Sequence, residues 1–327
     1  HVHICDSFAK EQCFNKNLIE VVAPPNGIKH KLLEITPRNI KMKGIKEAVI
    51  DMLANGITLF VDFRENGLDG INLLKEALGD SSISYLILGR YNNQEDAEII
   101  LQNADGLGLA SYNQLSLTDK KNLIGLKKKY SKKMVACHDA ELSRKEQLFN
   151  DIIRDDIIDI IIHGTHYTKE DLKIISEESI SLILCPKCNG YFGSGFPPIN
   201  SIQELDIPIS LGTDNVMANN IDLFEEMRYL YRISRVLAST KNHCILSSKD
   251  LLKMVCINAA KTLRLDGELG SISKGKFADF SLLNLSDSNY YSYQLDTTNI
   301  YNIIVQRTRA ENIKKTYIKG EVVYERI

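Results

Sequence analysis

This sequence lacks the features that mark membrane proteins and nucleic-acid-binding proteins. Its longest apolar runs, such as IIDIIIHG, are short and interrupted by charge, whereas a helix that crosses a bilayer needs roughly 20 apolar residues. The first residues do not form a basic-then-apolar leader. The 40 basic and 42 acidic residues nearly balance, so the formal net charge is only -2 and neither sign dominates. We therefore expect a cytoplasmic globular protein without a nucleic-acid or membrane partner.

A regular cysteine pattern is also missing. Seven cysteines are scattered over 327 residues, whereas small secreted domains carry dense, paired cysteines. The C-x-x-C motif formed by Cys185 and Cys188 has no second pair to complete a zinc site. We expect mostly reduced thiols and no structural zinc.

The sequence does contain a repeated pattern of apolar runs and helical stretches. Each apolar, β-branched run ends in glycine or polar residues, and a stretch with helical periodicity follows it. The runs are GITLFVDFRENG, ISYLILGRYN, ADGLGLASYN, KKMVACHDAE, IIDIIIHGTH, ISLILCPKCNG and IPISLGTDN. Continuous apolar runs are typical of parallel strands buried on both faces, and their alternation with helices indicates βα units.

The number of units predicts an α/β fold, a TIM (β/α)8 barrel over residues 1–263. Seven units are visible, and the eighth would begin just before His1, so we expect further residues there to supply the first strand. A doubly wound open sheet is the alternative, but it requires no eightfold count, and the sequence has no Gly-rich phosphate loop.

After residue 263 the pattern changes to short strands. The dipeptide at residues 319–320 separates two β-rich runs, which indicates a hairpin. Residues 264–327 are therefore predicted to form a small β-sandwich subdomain from C-terminal strands, completed by strands from residues before His1.

Potential metal ligands cluster at the ends of the predicted strands. Five of the seven histidines lie there, together with one aspartate: His1, His3, His138, His163, His166 and Asp214. In a TIM barrel this face carries the active site. Imidazoles and a carboxylate that converge there indicate a site for a divalent ion such as zinc or iron. Each residue taken singly could instead be a hydrogen-bonded polar group at a strand end, but the joint pattern favours the metal site.

Glu141 follows His138 by three residues, in CHDAE. A carboxylate beside a metal site can accept a proton from water and pass it on. The alternative interpretation is an exposed glutamate that the helix dipole favours at a helix start. The residues alone leave both interpretations open.

Four residues in this region of the predicted barrel are candidates for substrate binding. Arg64 and Arg90 follow the second and third predicted strands, where they could bind a carboxylate or phosphate bidentately. A salt bridge at the rim is the alternative. His30 lies in VAPPNGIKHKLLEI, a predicted loop that is long enough to cover the barrel mouth as a lid. His166 could touch substrate or simply pack near a helix start.

These motifs together resemble the amidohydrolase superfamily, specifically its cytosine-deaminase-like and chlorohydrolase-like branch. HVH, HDAE and IIHGTH are similar to the family motifs of strands 1, 5 and 6. LCPKCNGYFGSGFPPI is similar to its C-P-x-S-N-x-x-x-G-S-G segment, with Cys188 where serine is usual and Asn189 as a candidate substrate contact. LGTDNVMANNIDLFEEMR resembles the strand-8 segment, and LGSISKGKFADFSLLNL resembles the return into the small β domain.

The resemblance implies roles for the site residues. The implied metal ligands are His1, His3, His138 and Asp214. Glu141 would shuttle protons, His163 would contact the attacking hydroxide or the tetrahedral intermediate, and Asp214 would also act as a base. Two-metal members usually carry a carboxylated lysine at the end of strand 4, where this chain reads GLASYNQLSL. We therefore expect one divalent ion per chain, zinc in the first place and iron as the alternative.

The function implied is deamination of an aminated N-heterocycle, a purine-, pyrimidine- or pterin-like small molecule, with release of ammonia. The same site could instead hydrolyse a cyclic amide or imidazolone ring. A metal-binding protein without turnover is a third interpretation. The helical stretch DLFEEMRYLYRISRVL carries apolar residues at helical spacing, which either core packing or a homodimer face explains.

Overall fold

The computed structural model describes residues 1–91, 96–241, 246–293, 295–297 and 299–326. Its main sheet contains nine parallel strands: β1 (Val2–His3), β2 (Leu59–Arg64), β3 (Ser84–Gly89), β4 (Gly106–Leu109), β5 (Met134–Asp139), β6 (Ile160–His163), β7 (Ser181–Leu184), β8 (Ile209–Leu211) and β9 (Asp214–Asn215). They follow one another in space as β8-β7-β6-β5-β4-β3-β2-β1-β9. All seven apolar runs identified in the sequence form strands.

The sheet closes because β8 and β9 share one strand position. β8 pairs with β7, and β9 pairs with β1, while only residues 212–213 separate the two pieces. Eight strand positions therefore form a ring, and the predicted TIM-type barrel is confirmed. The two-residue strand β1 takes the first strand position, with Val2 paired to both Asp62 and Asp214, and the further residues that we expect before His1 remain a prediction.

Alternate residues along each strand pack into two different apolar cores, one inside the barrel and one beneath the helices. On β6, Ile160 and Ile162 point into the barrel, where they join Phe63 and Leu88 in one buried cluster. Ile161 points outward into the larger cluster beneath the helices. This alternation is the period of a β-strand, and it leaves the strand ends free to carry polar groups.

Fourteen helices lie among the described residues. They are α1 (Leu18–Val22), α2 (Ile28–Ile35), α3 (Arg38–Ala54), α4 (Gly67–Leu78), α5 (Asp96–Asn103), α6 (Leu117–Lys129), α7 (Glu146–Asp155), α8 (Lys169–Glu177), α9 (Pro186–Tyr191), α10 (Ile199–Glu204), α11 (Leu223–Lys241), α12 (Ser248–Val255), α13 (Ile257–Thr262) and α14 (Ile300–Arg307). None of these helices is long and apolar enough to cross a membrane. Met227, Leu230 and Ile233 of α11 are buried within the chain, so core packing accounts for its apolar stripe.

A small antiparallel sheet follows the barrel, as predicted. Its strands are β10 (Phe280–Leu283), β11 (Ile313–Ile318) and β12 (Glu321–Glu325), in that order. The turn between β11 and β12 has positive φ at Lys319 (51°) and Gly320 (86°), which is the type I′ hairpin geometry. Thr316 Oγ1 donates to Leu53 O at 2.8 Å and ties this sheet to the barrel. The domain boundary at residue 263 remains a prediction.

Candidate active site

Four predicted ligands converge at the C-terminal ends of the barrel strands: His1, His3, His138 and Asp214. Their ligand atoms all lie within 4.8 Å of one another. His3 Nε2 lies 3.4 Å from both His138 Nε2 and Asp214 Oδ1, and His1 Nε2 lies 3.2 Å from the same carboxylate oxygen. Neighbouring ligand atoms bonded to one ion at about 2.1 Å lie roughly 3.0–3.4 Å apart, and a five-coordinate ion keeps one position open for water. The donor types and their spacing therefore fit a divalent metal ion.

The imidazoles are suited to act as neutral ligands. Burial lowers the pKa of His138 well below its usual range, and the neighbouring His3 and His163 lower it further. Burial likewise lowers the pKa of His3, with a further contribution from Lys29. His138 Nδ1 lies 3.1 Å from the carbonyl oxygen of Leu109, which it can donate to, so that its Nε2 lone pair faces the cluster.

Asp214 begins β9 with a φ of +58°, in the left-handed region that L-residues rarely adopt. Such strained residues concentrate at functional sites. Burial alone would raise the pKa of Asp214, but His163, His3 and His138 outweigh it and lower the pKa. The neighbouring Cys188 thiol also lowers the pKa of this carboxylate. Asp214 is therefore held as an anion in the middle of the cluster.

Glu141 and His163 form a second group beside the ligands. Glu141 Oε2 lies 3.5 Å from His163 Nε2, which in turn lies 3.9 Å from Asp214 Oδ2. Burial raises the pKa of Glu141 to about 7. The negative charge of Asp214 raises this pKa as well, whereas the attraction of His163 lowers it. Helix α7 begins only at residue 146, so Glu141 does not stand at an exposed helix start. Its carboxylate faces the site without joining the four ligands.

Asn189 lies behind His163 and fixes the orientation of its ring. The Asn189 amide nitrogen donates to His163 Nδ1 at 3.2 Å, and Thr165 Oγ1 donates to Asn189 Oδ1 at 3.4 Å. A donor at Nδ1 leaves the His163 proton on Nε2, which faces Glu141 and Asp214. The candidate substrate contact Asn189 thus touches His163, and it is not among the described residues that line the pocket.

A pocket of about 210 Å³ opens above these groups. Its polar lining includes Lys29, His30, Arg90 and Gln114. Its apolar lining consists of Leu18, Ile19, Val22, Ala23, Pro24, Ala110 and Leu142. Most of the apolar residues belong to α1 and to the turn that leads to α2, so the predicted lid does cover the barrel mouth, but it is helical rather than a loop.

The family model of the Amidohydrolase family matches residues 1–323. The chain belongs to this family. The assignment made from the strand-end motifs is thereby confirmed, and the protein is a hydrolase of the class that acts on carbon–nitrogen bonds. Members of the family are generally divalent-metal enzymes, in agreement with the ligand cluster.

Other proteins resemble this amidohydrolase in sequence or structure. An uncharacterized protein of Methanocaldococcus jannaschii is 33% identical over 314 residues, which cover 89% of this chain and 78% of that protein. A 5-methylthioadenosine/S-adenosylhomocysteine deaminase of Thermoanaerobacter pseudethanolicus is 29% identical over 171 residues, 52% of this chain and 38% of that one. The guanine deaminase of C. acetobutylicum, solved with guanine bound, matches with a TM-score of 0.82 at 19% identity over 99% of this chain and 85% of that one. The last likeness shows a shared fold.

Besides Asn189, two further candidate substrate residues of the amidohydrolase lie outside its pocket. Arg64 is 1% exposed, and its guanidinium contacts Glu65 Oε2 at 2.7 Å and Asp62 Oδ2 at 3.3 Å. His166 Nε2 lies 2.7 Å from the carbonyl oxygen of Ser194. In the described part of the chain neither residue lines the pocket, because each is engaged by protein groups instead. Arg64 is thus a buried counter-ion, and His166 packs against a loop.

Arg90 and His30 do line the pocket. Arg90 Nη1 approaches Glu65 Oε1 only to 4.0 Å, so this guanidinium retains capacity to bind another acceptor. His30 Nε2 lies 3.0 Å from Val22 O, which fixes the ring against the turn.

Three residues that the sequence does not mark as functional also line the pocket: Lys29, Gln114 and Leu142. Lys29 and Gln114 are polar residues in segments without a distinctive spacing, and Leu142 follows Glu141 without any signal of its own. Cys188 was noted only as a departure from serine, and that departure was the available sign of its contact with Asp214.

Replacing Arg64 with leucine should destabilise the amidohydrolase strongly. The substitution leaves the buried carboxylates of Asp62 and Glu65 without this cation, and breaking a buried pair typically costs about 3–5 kcal/mol. Urea unfolding measures the loss. Arg154→Leu is the matched control, because this arginine is 60% exposed and pairs with Asp151 at the surface, where such pairs contribute below about 1 kcal/mol. Equal stabilities of the two variants would contradict the counter-ion role.

Proposed function

We propose that this amidohydrolase deaminates an aminated N-heterocycle and releases ammonia, with an aminopurine as the first candidate. The observation that carries the proposal is the position of the Glu141 carboxylate, whose side chain is 16% exposed. It lies 3.5 Å from His163 and groups with His163 and Asp214 rather than with His1, His3 and His138. Deamination needs a group that protonates a ring nitrogen and then the departing amine. The purine ring is favoured because a 5-methylthioadenosine/S-adenosylhomocysteine deaminase is among the relatives.

The mechanism assigns a separate task to each side chain. A divalent ion held by His1, His3, His138 and Asp214 would supply a Lewis acid that lowers the pKa of water. Asp214 directs Oδ1 toward His1 and His3, while Oδ2 faces His163, so the second oxygen is placed to accept the proton of the attacking water.

Glu141 and His163 act on the ring. Glu141 gives its proton to the ring nitrogen beside the attacked carbon, takes a proton back from the new hydroxyl group, and passes it to the amino group, which leaves as ammonia. The proton that Asp214 accepted from water then restores Glu141. The Nε2–H of His163 donates to the oxygen that attacks the ring and stabilises its negative charge. Asn189 keeps that proton on Nε2 by donating to Nδ1.

Arg90 and the apolar wall provide the contacts for substrate. A flat ring packs against Val22 and Leu142, and the free donors of Arg90 bind a carbonyl or an anionic substituent of the ring. His30, whose ring contacts Val22 O, remains a proposed substrate contact. Arg90 should therefore control which aminated ring is accepted.

The amidohydrolase should hold one catalytic ion per chain, zinc in the first place and iron as the alternative. Two-metal members of the family usually bridge their ions with a carboxylated lysine at the end of β4, but residues 110–116 contain no lysine. The next lysine, Lys120, is paired with Asp151 at 2.8 Å. Elemental analysis of metal-loaded protein checks the count. Two tightly held ions, both lost in His138→Ala, would contradict it.

A reducing, cytoplasmic location is part of the proposal. The six cysteines that the structure describes are all free thiols: Cys5, Cys13, Cys137, Cys185, Cys188 and Cys256. Disulfides are rare in the cytosol, so free thiols agree with that compartment.

The decisive test is an ammonia-release screen with the metal-loaded protein. Substrates should include 2-amino- and 6-aminopurines, cytosine and an aminopterin, beside hydantoin and an imidazolone as rings without an exocyclic amine. Ammonia from an aminated ring, absent in Glu141→Gln, supports the proposal. Ring opening of hydantoin or the imidazolone without ammonia would replace it by cyclic-amide hydrolysis. No turnover of either group would contradict a hydrolytic role on these rings.

A further inference from the structure

A buried carboxylate outside the ligand cluster holds one of the ligands. Glu65, directly after β2, is 2% exposed. Its Oε1 lies 2.9 Å from His3 Nδ1 and 2.5 Å from Lys29 Nζ, and its Oε2 lies 2.7 Å from Arg64 Nη2. Three nitrogen groups therefore surround one carboxylate, and one of them belongs to the ring whose Nε2 faces the metal site.

The three clustered imidazoles differ in what contacts their second nitrogen. His138 Nδ1 faces a neutral backbone carbonyl, that of Leu109. Neither His1 Nδ1 nor His3 Nδ1 makes a hydrogen bond of regular geometry among the described residues. His3 alone of these three faces a charged acceptor, Glu65, and charged acceptors form the stronger interactions. A carboxylate on the far nitrogen of a ligating histidine fixes its tautomer and makes it a better ligand.

Lys29 connects this carboxylate to the segment that covers the pocket. Lys29 belongs to α2, is 3% exposed, and places Nζ 2.9 Å from Asp6 Oδ2 as well as against Glu65. The turn before it is tightly packed, because a Cβ on Gly27 would lie 2.5 Å from Val21 O. The neighbouring residue His30 lines the pocket. Residues 18–35, which form the roof of the pocket, are thus linked through the Lys29–Glu65 ion pair to the residue that contacts His3.

We propose that Glu65 is a positioning residue for the metal ligand His3, and that Lys29 couples the roof formed by residues 18–35 to it. The inference rests on the proposed metal site. Metal affinity depends on Glu65, and binding of the ion in turn stabilises the roof, since coupling between two sites is reciprocal. Glu65 itself touches neither metal nor substrate.

Cobalt(II) provides the test, because its affinity can be measured by competition with a chelator and its coordination by visible absorption. Glu65→Gln keeps the size of the side chain but removes its charge, and it should weaken cobalt binding by about 10–100-fold and alter the spectrum. Lys29→Met should weaken binding in the same direction, and Lys29→Arg should restore most of it. Unchanged affinity and spectrum in both Glu65→Gln and Lys29→Met would overturn the proposal.

The controls separate this proposal from the metal site itself. Glu226→Gln removes a buried carboxylate that accepts a hydrogen bond from the backbone nitrogen of Lys187 and does not contact a metal ligand. The cobalt affinity of this variant should stay within about twofold of the wild type, in contrast to the loss expected for Glu65→Gln. His138→Ala should lose cobalt. If His138→Ala retained cobalt, the ligand assignment would fail, whereas cobalt lost in His138→Ala and unchanged in Glu65→Gln would refute only the role of Glu65.

Hydrogen exchange measures the coupling to the roof. Cobalt should slow the exchange of amides in residues 18–35 of the wild type, and this protection should disappear in Lys29→Met at saturating cobalt. Equal protection in both proteins would overturn the role of Lys29. This measurement remains informative if Glu65→Gln does not fold.

Discussion

Glu141→Gln is expected to lower turnover by about 10²–10⁴-fold while the metal content stays unchanged, since general acid–base groups contribute in that range. Glutamine keeps the size and shape of the side chain but cannot carry a proton. The carboxylate lies 3.5 Å from His163 Nε2, and burial raises its pKa to about 7, so it can both accept and release a proton near neutral pH. Ammonia release and elemental analysis of the same preparation measure the two quantities.

Glu146→Gln is the matched control for this experiment. Glu146 begins α7 five residues later and is exposed, so its replacement should leave turnover close to that of the wild type. Normal turnover of Glu141→Gln would remove Glu141 from the mechanism. Loss of metal in Glu141→Gln would make Glu141 a ligand and require a different assignment of the site.

His138→Ala is expected to lose metal and activity together. The substitution deletes one of four ligand atoms, the one that lies 3.4 Å from His3 Nε2, and it leaves the carbonyl of Leu109 without its imidazole partner. Three protein ligands can still bind an ion, but with weaker affinity and with a vacant coordination position where His138 was bound. Metal content after dialysis against a mild chelator, together with ammonia release, provides the measurement.

His166→Ala is the control for metal retention. His166 also follows β6 but directs Nε2 to Ser194 O at 2.7 Å, away from the ligand atoms, so the variant should keep its ion. A His138→Ala protein that retained a full complement of metal would show that the four clustered side chains are not the binding site.

The barrel and its ligand cluster were accessible from sequence because both depend on local patterns. Each strand is an uninterrupted apolar run, and a strand end is visible where glycine or polar residues follow it. His138 and Asp214 stand at such ends, and the strand-end rule of TIM barrels places them on one face without any knowledge of contacts. The hairpin at Lys319 was visible for the same reason, since the turn chemistry is contained in two residues.

The residues that the sequence misplaced depend on contacts between distant segments. Arg64 has the position of a pocket residue, but the adjacent Glu65 and the same-strand Asp62 engage its guanidinium. Lys29 resembles a surface lysine until α2 brings it to Asp6 and Glu65. Proline and glycine around residues 24–27 predicted a loop, whereas they mark only the turn between two helices.

The division of the eighth strand into β8 and β9 has a consequence for folding kinetics. His1 and Asp214 are 213 positions apart in the chain, yet they share one ion site and one seam of the ring. Contacts of such long range form late, because the entropy of closing the intervening loop must be overcome first. Chelation therefore follows ring closure during refolding. The change in visible absorption when cobalt(II) is coordinated would therefore report the rate of the last step of barrel assembly.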